Sequence, residues 1–125
     1  MEMWFLMLGC NLLLPLMLLI VGFWMRKAPP KDINHLAGYR TATSMKNQDT
    51  WDFAQAYSGK MMRVMGWISL LIAVVPMLFV MGASEDAISI VGLIVCGVLL
   101  IPLLLVIPLT EKALQKTFDK DGNRR

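Results

Sequence analysis

The side chains able to do chemistry gather in one polar stretch of the chain. His35 stands three residues after Asp32, with Asp49 and Asp52 further on. Together they outline a metal site, but His35 is the only histidine, and any polar loop of this length yields such an outline. No HExxH, GxSxG or glycine-rich phosphate loop accompanies it. Cys10 and Cys96 lie deep in apolar sequence, without CxxC or zinc-ligand spacing, which predicts two small buried thiols rather than a disulfide. The expectation is therefore no enzyme, no metal and no cofactor. Arg40, set between Tyr39 and Thr41 and just after Gly38, is placed for a lipid phosphate, for the carboxylate of Asp49 or Asp52, or for a helix C-terminus. The plainer reading is a cation that keeps its loop in the cytoplasm.

The elements that must position these residues are apolar. Apolar residues make up 57% of the chain and charged ones 17%, and the apolar residues fall in three blocks, too greasy for a water-facing surface. Spans are expected at about 3–25, 62–81 and 87–109, since some twenty residues at about 1.5 Å each cross a hydrocarbon core roughly 30 Å thick. Only Met-Glu precedes the first block and no small-x-small site precedes "RKAPP", so it reads as an uncleaved helix and not a signal peptide. Arg63, at the start of the second, is expected to snorkel toward the headgroups. The link "GASED" between the second and third makes them antiparallel neighbours.

Charge then assigns the sides. From Arg26 to Arg63 there are seven basic residues against three acidic, and after Leu109 five against three, whereas the 82–86 turn holds two acids and no base. The positive-inside rule predicts a multi-pass cell-membrane protein with its N-terminus outside, a cytoplasmic loop over 26–61 and a cytoplasmic tail over 110–125. Within the spans Asn11 and Ser69 are the notable polar side chains; Asn11 is expected to face another helix, because an unpaired amide is costly in lipid. No span carries Asp, Glu, Lys, Arg or His away from its ends, which argues against a stand-alone transporter. Gly92 and Gly97 would allow close helix approach, and Pro15, Pro76 and Pro102 should kink their helices.

The 26–61 segment reads as structured. Pro29 and Pro30 cannot continue the first helix. Ile33, Leu36 and Tyr39 recur every three residues, a hint of a helical turn closing at Gly38. Ser44 or Thr50 can cap the next helix, with Asp49 and Asp52 near its positive end. Trp51, Ala54 and Tyr57 or Ser58 then share one face of an amphipathic helix. That helix lies at headgroup level or docks against the cytoplasmic ends of the spans. In the tail, Ala113, Leu114 and Phe118 between alternating charges read as a short surface helix fraying after Asp121, and not as a nucleic-acid arm. The predicted architecture is an all-α integral membrane protein, one domain over 1–125, with three transmembrane helices and an amphipathic helix in the long loop between the first two.

"GYRTATSMKNQDTWDFAQAYSGK" resembles the signature of the SdpI family of small bacterial membrane proteins. That signature is a Gly, a hydrophobic residue, Arg-Thr, usually Pro, any one residue, then Ser or Thr, a Trp about seven residues on, an Ala three later and commonly an Asn. Gly38, Arg40, Thr41, Ser44, Asn47, Trp51 and Ala54 match it. Ala42 stands where Pro is usual, and Gln55 stands where Asn is usual, keeping an amide with a longer reach. The resemblance covers essentially the whole chain in a short three-span form. It implies a membrane immunity or sensor protein giving resistance to a membrane-active antimicrobial peptide and relaying a signal to a cytoplasmic repressor. The implied partners are a toxic peptide and that repressor. Membrane lipids and a second copy of the chain, through Gly92, Gly97 or Asn11, are expected neighbours, with no direct contact to nucleic acid. The alternative is a structural or accessory membrane subunit of a transporter, without activity of its own.

Overall fold

The computed structural model describes residues 2–33 and 38–125. The described residues form three α-helices, α1 (Glu2–Lys27), α2 (Gln48–Phe79) and α3 (Glu85–Thr117), each long and apolar enough to cross a membrane. α2 has 32 residues and α3 has 33. At 1.5 Å per residue each extends about 50 Å, against a hydrocarbon core of roughly 30 Å. The excess is polar and lies at one end.

The separate amphipathic helix expected in the loop does not form. Its residues are the first turns of α2, which continues without a break through "SGKMMR" into the apolar run. Ser, Lys, Met and Arg all tolerate a helix interior, Gly59 costs only about 1 kcal/mol there, and no proline stands in the stretch to stop it. The tail likewise has no surface helix of its own. α3 carries on to Thr117, and the chain then turns back so that Phe118 and Arg124 form an isolated antiparallel bridge. The expected fraying after Asp121 is replaced by this hook. The turn expected over 33–39 falls partly on residues 34–37, and with His35 lies outside the described residues. All three helices run through their prolines uninterrupted.

α2 packs along both other helices, and α1 also meets α3. Near the α1 N-terminus, Trp4, Met77 and Ile88 form one core, in which the Trp4 indole donates to the Met77 carbonyl at 2.6 Å. Further along, Ala73, Val95 and Leu99 form a second. As expected, Asn11 faces another helix, its amide donating to the Gly92 carbonyl of α3 at 3.2 Å. Met7 packs over Gly92, leaving no room for a side chain, while Gly97 faces open space, so only the first glycine serves close approach. Ser69 is fully buried in α2, and its hydroxyl has no hydrogen-bond partner among the described residues.

Two further expectations are corrected. Cys10 and Cys96 are exposed and not buried, on helix faces turned away from the bundle. An apolar neighbourhood in sequence says nothing about which face of a membrane helix meets protein and which meets lipid. Arg63 does not reach outward: its Nη1 donates to the Gly22 carbonyl of α1 at 2.7 Å. A Cβ on Gly22 would lie 2.8 Å from Arg63 Cγ and 2.9 Å from its backbone nitrogen, so α1 and α2 cross here by virtue of that glycine.

Candidate functional site: a polar motif folded onto the third helix

The site begins at the helix cap. Asn47 is extended, with φ −157°, and its side chain accepts from the Thr50 backbone N–H at 2.8 Å while the Thr50 hydroxyl accepts from the Asn47 N–H at 3.0 Å. This reciprocal capping box makes Asn47 the N-cap, not Ser44 or Thr50. Ser44 is buried inside the preceding turn, where its hydroxyl accepts from the Thr41 N–H at 2.8 Å and lies 3.0 Å from the Thr41 carbonyl.

The first turns of α2 then present Trp51, Ala54, Gln55 and Ser58 as a buried face. The aromatic face docks on protein, the second of the two placements expected for it. Trp51 is 0% exposed, and its indole N–H donates to the Pro30 carbonyl at 2.8 Å, pinning the extended Pro29–Pro30 segment to α2. Gln55 grips Tyr39 from both sides. It accepts from the Tyr39 N–H at 2.7 Å and donates to the Tyr39 carbonyl at 2.7 Å. Gly38 makes this grip possible. Its φ of +94° suits glycine, and a Cβ there would lie 2.5 Å from Gln55 Oε1 and 2.9 Å from Pro30 Cγ.

Held in this way, Tyr39 reaches α3. Its hydroxyl lies 2.8 Å from Glu111 Oε1 and 3.1 Å from the Ile107 carbonyl, and the Thr41 hydroxyl donates to the same carboxylate oxygen at 2.5 Å. One acid on α3 thus gathers two hydroxyls from the motif. Below them Tyr39, Ala54, Leu114 and Phe118 form a compact apolar core. The tail closes the other side. Asn47 donates to the Gly122 carbonyl at 2.8 Å, Lys46 donates to the Lys120 carbonyl at 2.6 Å, and Arg124 binds Asp49 through two contacts of 2.9 Å. Asp49 holds the Arg124 guanidinium more firmly protonated than usual, and the Asn123 N–H, first among the causes, holds the Asp119 carboxyl below its usual range. The Arg124–Asp49 pair is well exposed, so Phe118 and the Asn47 contact anchor the tail more than the ion pair does.

Seven of the expected residues, Gly38, Thr41, Ser44, Asn47, Trp51, Ala54 and Gln55, therefore share one cluster. Arg40 lies in the same stretch with an exposed side chain. Of the two carboxylates expected near it, Asp49 is engaged by Arg124 and Asp52 accepts from Gln48 at 2.7 Å. Asn11 and Ser69 belong to the bundle. Tyr39, Thr50, Glu111, Phe118 and Gly122 were not anticipated as site residues. Glu111 did leave a trace, as the first acid after the third apolar block in a mainly basic tail, and "DGN" over 121–123 is a turn signal. The arrangement is a latch built of hydrogen bonds. Among the described residues no group of three or more His, Cys, Asp or Glu could hold a metal ion.

Tyr39 gives the latch a measurable signature. Burial, then the hydrogen bond and charge of Glu111, raise its hydroxyl pKa far above the ordinary value near 10. Because the folded pKa is the higher one, the latch is at full strength below pH 10 and weakens as alkaline solution favours the unfolded, ionised form. In a Tyr57→Phe variant Tyr39 is the sole tyrosine. Its ultraviolet titration is expected to begin well above pH 10 in the folded protein and to return to about 10 in denaturant. An ordinary titration in the folded state would contradict the buried Tyr39–Glu111 contact.

Three apolar helices carrying a folded polar motif at one end define a multi-pass membrane protein. The profile of the SdpI/YfhL protein family matches residues 31–110, more than half of the chain, and the chain belongs to that family. The match takes in the motif, α2 and most of α3, while Glu111 and the tail hook lie just beyond it. The chain is similar to the uncharacterized protein YfhL of Bacillus subtilis (strain 168), 38% identical over 52 residues. That alignment covers 42% of this chain and 47% of the relative, so the chain matches about half of the relative's length. No solved structure matches the chain.

Proposed function

We propose that the chain is a membrane immunity or sensor protein, giving resistance to a membrane-active antimicrobial peptide and relaying its presence to a cytoplasmic repressor. In this reading residues 3–25, 62–81 and 87–109 lie in the cell membrane, the N-terminus and the 82–86 turn face outward, and the 26–61 loop and 110–125 tail face the cytoplasm. The excess of basic residues at the loop-and-tail end supports that orientation. Family membership supports the activity. The observation that carries the reading is the hydrogen-bonded latch: Glu111 on α3 and Gln55 on α2 hold Tyr39 and Thr41 between them. A shift between these helices on the membrane side must therefore disturb the motif on the other. Arg40, exposed within that motif, is the residue offered to a cytoplasmic partner.

The experiment is heterologous expression followed by challenge with membrane-active peptides. Wild-type protein is expected to raise survival and Arg40→Ala to abolish the gain, with membrane insertion unchanged. A Cys placed at Ser84 should be labelled from outside, and one placed at Thr43 should not. Unchanged survival with Arg40→Ala removes the proposed role of Arg40. No protection by the wild type, with co-purification of a transporter, moves the reading to an accessory subunit, for which the exposed apolar faces of all three helices leave ample surface.

A further inference from the structure

Beside the latch, where the end of α1 meets α2, lies a cavity of about 300 Å³ that the proposed activity does not use. Three cations line it: Arg26 at the end of α1, Lys31 after the two prolines, and Arg63 of α2. Arg63 is built into the place. Gly22 leaves the room it occupies, and the Gly22 carbonyl takes one of its five N–H donors. Met25, Pro29, Pro30 and Ala56 supply an apolar wall. Asp52 is the opposing carboxylate, with one oxygen already bonded to Gln48. Three positive charges against one leave a net charge of +2, which draws an anion.

The depth of the cavity narrows the occupant further. Arg26 directly follows the apolar run of α1, and Arg63 directly precedes that of α2. On the proposed membrane placement, on which this inference rests, both lie at headgroup level, where arginine and lysine meet lipid phosphates. We infer that the cavity between Arg26, Lys31 and Arg63 binds the phosphodiester of an anionic glycerolipid, its phosphate on the cations and its glycerol against the proline wall. Gln55 lines the same cavity while holding Tyr39, so an occupied site braces the motif.

The test uses purified full-length protein in neutral detergent, titrated with short-chain phosphatidylglycerol, with short-chain phosphatidylcholine, or with inorganic phosphate, and followed by thermal unfolding. Phosphatidylglycerol is expected to raise the unfolding temperature saturably, and the other two are not. Arg26→Gln/Lys31→Gln, both on exposed side chains, should need about thirtyfold more of the lipid for the same rise, given the usual worth of two cations near an anionic surface. Lys27→Gln/Lys60→Gln, removing two charges from the same end but away from the cavity, should respond as wild type. Equal responses to the two lipids overturn the inference, as does equal loss in both double variants, which would reflect diffuse charge. An equal effect of inorganic phosphate overturns the lipid as its source. Because the measurement needs no toxic peptide, it stands or falls separately from protection.

Discussion

Trp51→Ala is expected to release the loop from α2. Truncating a fully buried tryptophan costs about 3–5 kcal/mol through lost burial and the cavity left behind. Here the side chain is 0% exposed and is also the only link from α2 to the Pro30 carbonyl among the described hydrogen bonds. The loss should be local, because Trp51 lies outside the cores that join the apolar halves of the helices. Hydrogen exchange in residues 38–50 should therefore accelerate strongly while the apolar parts of α1 and α3 stay protected. Trp51→Phe separates the two contributions. It keeps most of the burial and gives up the bond to Pro30, so it should cost about 1 kcal/mol plus a smaller packing defect. Wild-type protection of the loop in Trp51→Ala would mean that the tail and Glu111 hold it unaided.

The second large effect is expected at Gln55. Leucine has a similar volume and cannot take part in hydrogen bonds, so Gln55→Leu leaves the buried Tyr39 N–H without its partner and weakens the hold on its carbonyl. Each buried backbone group left unsatisfied costs roughly 1–3 kcal/mol. The carbonyl retains a contact from the Ser44 hydroxyl at 3.3 Å, so the N–H bears most of the penalty. The displacement should pass to Glu111, and the tyrosine titration of the Tyr57→Phe background should move back toward its ordinary value. Gln55→Asn, the shorter amide, is expected to fall between leucine and wild type. An unmoved titration in Gln55→Leu would show that Glu111 alone positions Tyr39.

Those two residues were legible in the sequence, and their mechanical roles were not. The three apolar blocks announce three helices because nothing else buries so much hydrocarbon, and the motif stands out because its Gly, Arg, Trp and amide recur at family spacing. Periodicity failed where lipid and protein present the same apolar environment, so Cys10 and Cys96 read as interior and proved exposed. Local propensity could not show that α2 passes unbroken through Gly59, whose missing side chain is explained by Met25 of α1, 3.0 Å from where its Cβ would be. The cap went to Asn47 because Thr50 returns its bond, a pairwise relation that neither residue reveals alone. Least legible was the tail, since Lys46 and Asn47 hold it through backbone carbonyls, which carry no side-chain code.

The unbroken run of α2 makes it a stiff lever pivoting near Gly22 and Gly59. With 32 residues in the helix and a rise of 1.5 Å each, roughly 18 Å of it projects past a 30 Å core. A tilt of about 10° in the greasy half swings the projecting tip by about 3 Å on that arm, as far as a hydrogen bond is long. Such a swing strains the contacts of Asn47 and Asp49 with the tail, whereas Gln55, four residues from Gly59, moves only about 1 Å, so a small lean among lipid-embedded segments is felt first where the far tip grips the tail.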